Sequence, residues 1–246
     1  MAAKTKSTPA KAAKTNSTPA PPKPKTKAEL IKGVWAQIQS ILNTINHTLI
    51  LLIAVFVTLL ARNLHFEDTA MHMFLTVIGW HFLAAEALMS HYAHNPVTNK
   101  LSHRNKSRFH GILQLIGGSM SLLGAVGKIQ ATEDHFTTWH GKIGLASTIL
   151  CVASLVGGIV NFFQPKFVHK FHSQAEIKYR HNLFGIIGFI VAMVTIVLGY
   201  YTAFFVKYVD NSAIPAFILA TILVLLFTLI APVTSLLDKL KHKKKK

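Results

Sequence analysis

Residues 139–163 read WHGKIGLASTILCVASLVGGIVNFF, with Lys142 as the one charged residue. Wound as a helix at about 1.5 Å per residue, such a run is long enough to cross the roughly 30 Å hydrocarbon core of a bilayer. Five more segments meet the same test: Ile41–Ala61, Met71–Tyr92, Phe109–Gln130, His181–Val206 and Ala213–Leu237. The second is the least apolar, because it carries His72, His81 and Glu86. Glycines interrupt the others only as small residues that bundle interfaces tolerate. The expected fold is an all-α membrane protein of six transmembrane helices, occupying residues 33–238.

The composition agrees. Of 246 residues, 51% are hydrophobic and 14% charged, against about 25% charged in a soluble domain. Lys and Arg number 26 against 9 Asp and Glu, a net charge of +17. Most of that charge lies outside the apolar runs, so a pI of 10.1 does not signal affinity for nucleic acid. The single cysteine, Cys151, excludes a disulfide framework or a cysteine-rich metal cluster. Fourteen histidines among so few acids are what need explaining.

The two ends are basic tails. Ala2–Ala10 (AAKTKSTPA) recurs with one change at Ala12–Ala20 (AAKTNSTPA), and a Pro/Lys stretch follows to Lys27. Without bulky residues, residues 1–32 are expected to be a disordered tail. They lack the arginines of a mitochondrial presequence and the close apolar region of a cleaved secretory signal. Residues 239–246 form the second tail. A six-span arrangement puts 22 of the 26 basic residues on one side, including Lys100, Arg104, Lys106, Arg108, Lys166, Lys170, Lys178 and Arg180. The opposite loops hold Arg62, Lys128 and Lys207 against Glu67, Asp68, Glu133, Asp134 and Asp210. The positive-inside rule then places both termini in the cytosol. Lys243 and Lys244 stand fourth and third from the end, as in a receptor-read di-lysine retrieval signal. The endoplasmic reticulum or a cytoplasmic vesicle membrane is the expected location.

Four histidines occupy equivalent places: His72, His110, His140 and His181 open spans two, three, four and five. Successive helices run antiparallel, so His72 and His140 belong to the non-cytosolic side and His110 and His181 to the cytosolic side. One pair of imidazoles at each face of a central four-helix bundle is what two stacked bis-histidine haems require. Gly144 and Gly185 follow His140 and His181 by one turn, and Gly79 follows His72 by two, each leaving space for a flat macrocycle. His81 should face away from the ligand stripe, and His47 should be interfacial. The histidines of the loops, His91 among them, should be solvated. Glu86, fourteen residues after His72, should return to within about 40° of the same helix face. It is either functional or paired with an arginine of the cytosolic loop.

Met71-His72, Phe109-His110, Trp139-His140-Gly141 and Arg180-His181, with Ala85-Glu86-Ala87-Leu88 and Leu113-Gln114-Leu115, resemble the cytochrome b561 family over about residues 40–237. The resemblance implies six helices and two haem b groups that pass electrons across a membrane. His72 with His140 would hold the non-cytosolic haem, and His110 with His181 the cytosolic one. It also implies cytosolic ascorbate as donor, with monodehydroascorbate radical or ferric iron as acceptor. Ascorbate is an anion, so Lys106 and Arg108, just before His110, are the candidate donor-binding residues. Membrane lipid and a second copy in a homodimer complete the expected partners. The competing reading is a histidine-lined metal or proton transporter, whose ligands would converge near the midplane. A scaffold that binds partners through its basic tails is a third.

Overall fold

The computed structural model describes residues 26–92 and 94–244. Its helices are α1 (Lys27–Asn63), α2 (Asp68–Val77), a π-helical turn (Ile78–Ala84), α3 (Ala85–Met89), α4 (His103–Gln130), α5 (Trp139–Phe163), α6 (Lys166–His169), α7 (Gln174–Gly199), α8 (Ala203–Tyr208) and α9 (Ile214–Lys244). With α2, the π turn and α3 continuous as span two, six helices are long and apolar enough to cross a membrane. The face where α1 begins and α9 ends is called the terminal face below.

Polar side chains start four of the six spans. Thr26 and Glu29 close a capping box on α1, while Ser102, Thr138 and Ser173 accept from the backbone N–H three residues on in α4, α5 and α7. The caps of α1, α4 and α7 lie well outside the apolar runs, so these three helices begin earlier than the runs do, while Thr138 starts α5 at Trp139 as expected. α1 begins at Lys27, making the last residues of the stretch assigned to the tail helical; residues 1–25 lie outside the described residues. α9 continues through Lys239 to Lys244, so most of the C-terminal tail is helical too. His110 and His181 sit about two turns inside α4 and α7 instead of opening them. At its other end span five stops at Gly199 rather than Val206, because Thr202 caps a separate short helix, α8.

The packed core lies between spans one, two, five and six. Ile50 and Val57 of α1, Ala85 and Met89 of span two, Phe189 and Met193 of α7 and Val224 of α9 are among its buried members. Neither α4 nor α5 contributes a residue to it. α5 instead packs along α7, and α4 along span two. The second contact is very close. A Cβ on Gly79 would stand 2.4 Å from the Gly117 carbonyl and 2.1 Å from Ser121 Oγ, so only glycine fits where these backbones meet. Gly79 therefore serves helix packing and does not open the space expected beside a macrocycle.

Tyr92 ties the end of span two to α9. Pro232 inside α9 has no N–H, which deprives the Thr228 carbonyl of its helical donor. The Tyr92 hydroxyl donates to the carbonyls of Phe227 and Thr228 and accepts from the Ala231 N–H. The gap left by the proline is thus closed by a side chain from another span, as the absence of water in a bilayer demands.

Candidate functional site

The four span histidines meet as two pairs. His72 and His140 face each other with ring centroids 6.1 Å apart and planes at 89°. His110 and His181 do so nearer the terminal face, at 6.2 Å and 87°. Each pair joins two helices that are not sequence neighbours: span two with span four, and span three with span five.

Backbone carbonyls of adjacent helices orient the rings. His72 Nδ1 lies 2.9 Å from the Gly124 carbonyl, His110 Nδ1 3.0 Å from Ala87, and His140 Nδ1 3.0 Å from Thr195. A carbonyl can only accept, so Nδ1 carries the proton in all three and Nε2 keeps its lone pair for a ligand. Spans two and three hold each other's histidines in this way. His181 is seated against Gly157 and Gly158 of α5, where a Cβ on Gly158 would come within 3.3 Å of its Cε1. His140 has the matching relation to Gly199, also at 3.3 Å.

These distances discriminate between ligands. A ligating imidazole nitrogen lies about 2 Å from a first-row metal, so two rings in line across one metal ion have centroids about 6.3 Å apart. Both pairs come within about 0.2 Å of that spacing, so the two imidazoles of each pair would fit as the protein ligands of one haem iron. The space beside the rings fits as well. A Cβ on Gly185 would meet nothing within 4 Å, and one on Gly144 only the Thr195 methyl at 3.4 Å. Among the described residues, no three His, Cys, Asp or Glu side chains gather as a metal site, and the imidazoles stand near two faces instead of converging at the midplane.

Glu86 departs from the sequence reading. A π-helix advances about 80° per residue, against 100° in an α-helix. Across Ile78–Ala84 the difference turns the rest of span two back by roughly 130°. Glu86 is thereby carried away from the His72 face and toward α1, where its Oε1 lies 2.7 Å from His47 Nδ1. Its partner is a histidine of span one and not a loop arginine, and His47 is correspondingly not a lone interfacial residue. His81, inside the π turn, is fully buried with neither ring nitrogen hydrogen-bonded.

The loop residues also separate. Lys106 is half-buried, its Nζ donating to the Tyr92 carbonyl at 3.2 Å, while Arg108 is exposed. His91 is exposed, as expected of a loop histidine, and its ring stands 5.4 Å from that of His110 and 5.7 Å from that of His103. It lies beyond the end of span two, and partial desolvation of its ring, with the neighbouring His110, His103 and Lys106, pushes its pKa down.

The profile of the eukaryotic cytochrome b561 family matches residues 71–206, which include all four paired histidines. Relatives named transmembrane reductase CYB561D2 are similar over most of the chain. The protein of Bos taurus is 26% identical over 183 residues, covering 73% of this chain and 81% of the relative. That of Mus musculus is 28% identical over 171 residues (68% and 76%), and that of Homo sapiens 26% over 190 residues (76% and 84%). No solved structure matches. The chain belongs to the cytochrome b561 family and is an integral membrane oxidoreductase of the kind that carries b-type haem.

Proposed function

We propose that this protein carries electrons from cytosolic ascorbate at the terminal face, through two haem b groups, to monodehydroascorbate radical or ferric iron on the lumenal side. The observation that carries the reading is the pair of imidazole couples, each spaced for a single iron and set at opposite ends of the bundle. His110 and His181 would hold the haem nearer the donor, and His72 and His140 the one nearer the acceptor. Bound there, haem supplies a one-electron carrier at each face.

The remaining roles fall to the chain itself. The carbonyls of Gly124, Ala87 and Thr195 fix the protonated Nδ1 atoms, so each ring presents Nε2 without rotating. Arg108, exposed two residues before His110, is positioned to attract an anionic donor, and Lys106 supports it from the half-buried side. The basic loops and tails favour a cytosolic terminal face, and the membrane is that of the endoplasmic reticulum or of a cytoplasmic vesicle. Apolar side chains along the outer helix faces meet lipid.

A visible spectrum of the purified protein tests this. A haem absorption that ascorbate reduces, and that monodehydroascorbate radical or a ferric chelate reoxidises, is expected. A protein purified from haem-replete cells without such a band overturns the reading.

A further inference from the structure

Away from the histidine pairs, the described residues hold a polar cluster around Glu86 that electron transfer does not use. Glu86 and His47 form a contact of 2.7 Å between spans two and one, each side chain only 17% exposed. The same face of α1 carries Asn43 and Asn46, both buried. Asn46 Nδ2 donates to Thr228 Oγ1 and Met89 Sδ, each at 2.9 Å. Three buried atoms around the pair have no partner: Asn43 Nδ2, Asn46 Oδ1 and His47 Nε2. Asn43 lies one turn nearer the terminal face than His47. A carboxylate and an imidazole are costly in a bilayer, and side chains of this kind commonly mark proton routes.

The position of Glu86 connects it to the haem-side chemistry. Its neighbour in the chain, Ala87, offers the carbonyl that holds His110. The π turn directs the Glu86 side chain to α1 while leaving the next peptide facing α4. The titratable and charged groups brought to this end of span two are His47 from α1, His103, Lys106 and His110 from α4, His91 and Tyr92 just beyond the span, and His81 in the adjoining π turn; α9 presents the uncharged Thr228 to Asn46.

We propose that Glu86 and His47 are a half-buried proton-binding pair that takes up one proton from the terminal face when the His110–His181 site gains an electron, and releases it when the electron moves on. The inference rests on the haem reading above. The electron comes from ascorbate and the proton from solvent. The only bond made is an N–H or O–H bond within the pair, and the same bond breaks on release. Charge compensation is the driving force: an added negative charge in a medium of low dielectric is stabilised by a proton bound nearby. Asn43, Asn46 and His47 Nε2 supply unfilled hydrogen-bonding positions for water leading in from the terminal face.

Redox potentiometry of the haem-loaded protein between pH 6 and pH 8 tests the pair, read at the haem absorption bands. In the wild type one haem component is expected to lose midpoint potential as pH rises, while the other stays level. Glu86→Gln should abolish that pH dependence without removing either haem. His47→Gln should do the same, and it carries the test if E86Q does not accumulate. Reduced-minus-oxidised infrared spectra of the wild type should show a carboxyl or imidazole band that is missing in the variants. An E86Q or H47Q protein with wild-type pH dependence overturns the proposal. So does a wild type whose midpoints ignore pH, and in that case the haem reading stands. A wild type without haem bands overturns the haem reading and this inference with it.

Discussion

Replacing His140 with Ala is the sharpest test of the two-site arrangement. The substitution removes one ring of the pair at 6.1 Å and leaves His72 held by the Gly124 carbonyl. The other pair is far away. Ala87, which holds His110, lies fifteen residues along span two from His72, a distance of about 20 Å along the helix axis. Two unit charges at that separation, in an effective dielectric of about 20, interact by less than about 1 kcal/mol. Occupancy of the terminal-face site should therefore be almost unaffected. The expected result is that haem absorbance per protein falls to about half in H140A. It should fall to about half again in His110→Ala, and to nothing in the double variant. Pyridine haemochrome analysis on protein quantified by amino-acid content gives the ratio. Loss of both haems in H140A, or of neither, would refute the assignment of independent pairs.

Four further outcomes are expected. Arg108→Gln should raise the KM for ascorbate while leaving reduction by an uncharged artificial donor unchanged; Lys106→Gln should add a stability loss, because its Nζ also bonds the Tyr92 carbonyl. Gly199→Val should displace the His140 ring, which even an Ala Cβ would approach to 3.3 Å, and optical spectra should lose the same component as H140A. His81→Leu removes two buried nitrogens without partners and should stabilise the protein in detergent by about 1–3 kcal/mol; a loss of that size in a denaturation curve would show that the ring has hydrogen-bonding work to do. Lys243→Ser with Lys244→Ser should release the protein from reticular to later secretory membranes, seen by microscopy, with unchanged topology in protease-protection assays.

The histidine pairing was legible because it depends on little more than helix parity. Once spans two to five alternate in direction, His72 can meet only His140 at one face, and His110 only His181 at the other. Span two was less legible. Its angular reckoning assumes α-helical geometry throughout, and nothing in Ile78–Ala84 (IGWHFLA) marks a π turn in advance. The turn appears where Gly79 presses against Gly117 and Ser121, a tertiary contact that no local propensity records. One such turn moves Glu86 to the opposite side of its helix. Helix ends were misplaced for a simpler reason. Apolar runs report where lipid begins, whereas Ser102 and Ser173 report where the helix begins, and the two differ by about two turns. The Tyr92 contact with α9 joins residues far apart in sequence, so Pro232 read alone suggests only a kink.

The absence of α4 and α5 from the packed core has a consequence for synthesis of the protein in the cell. Spans one, two, five and six can consolidate on their own contacts, but the inner faces of spans three and four turn toward the histidine pairs. Haem that binds only the folded bundle shifts the folding balance by mass action, in proportion to its free concentration relative to its dissociation constant. Newly made chains in haem-starved cells would thus keep spans three and four attached through the α4–span two and α5–α7 contacts but with their histidine faces unfilled, a form that membrane quality control removes. The abundance of the protein should then follow haem supply even at constant messenger level, making the cofactor a chaperone for half of its own enclosure.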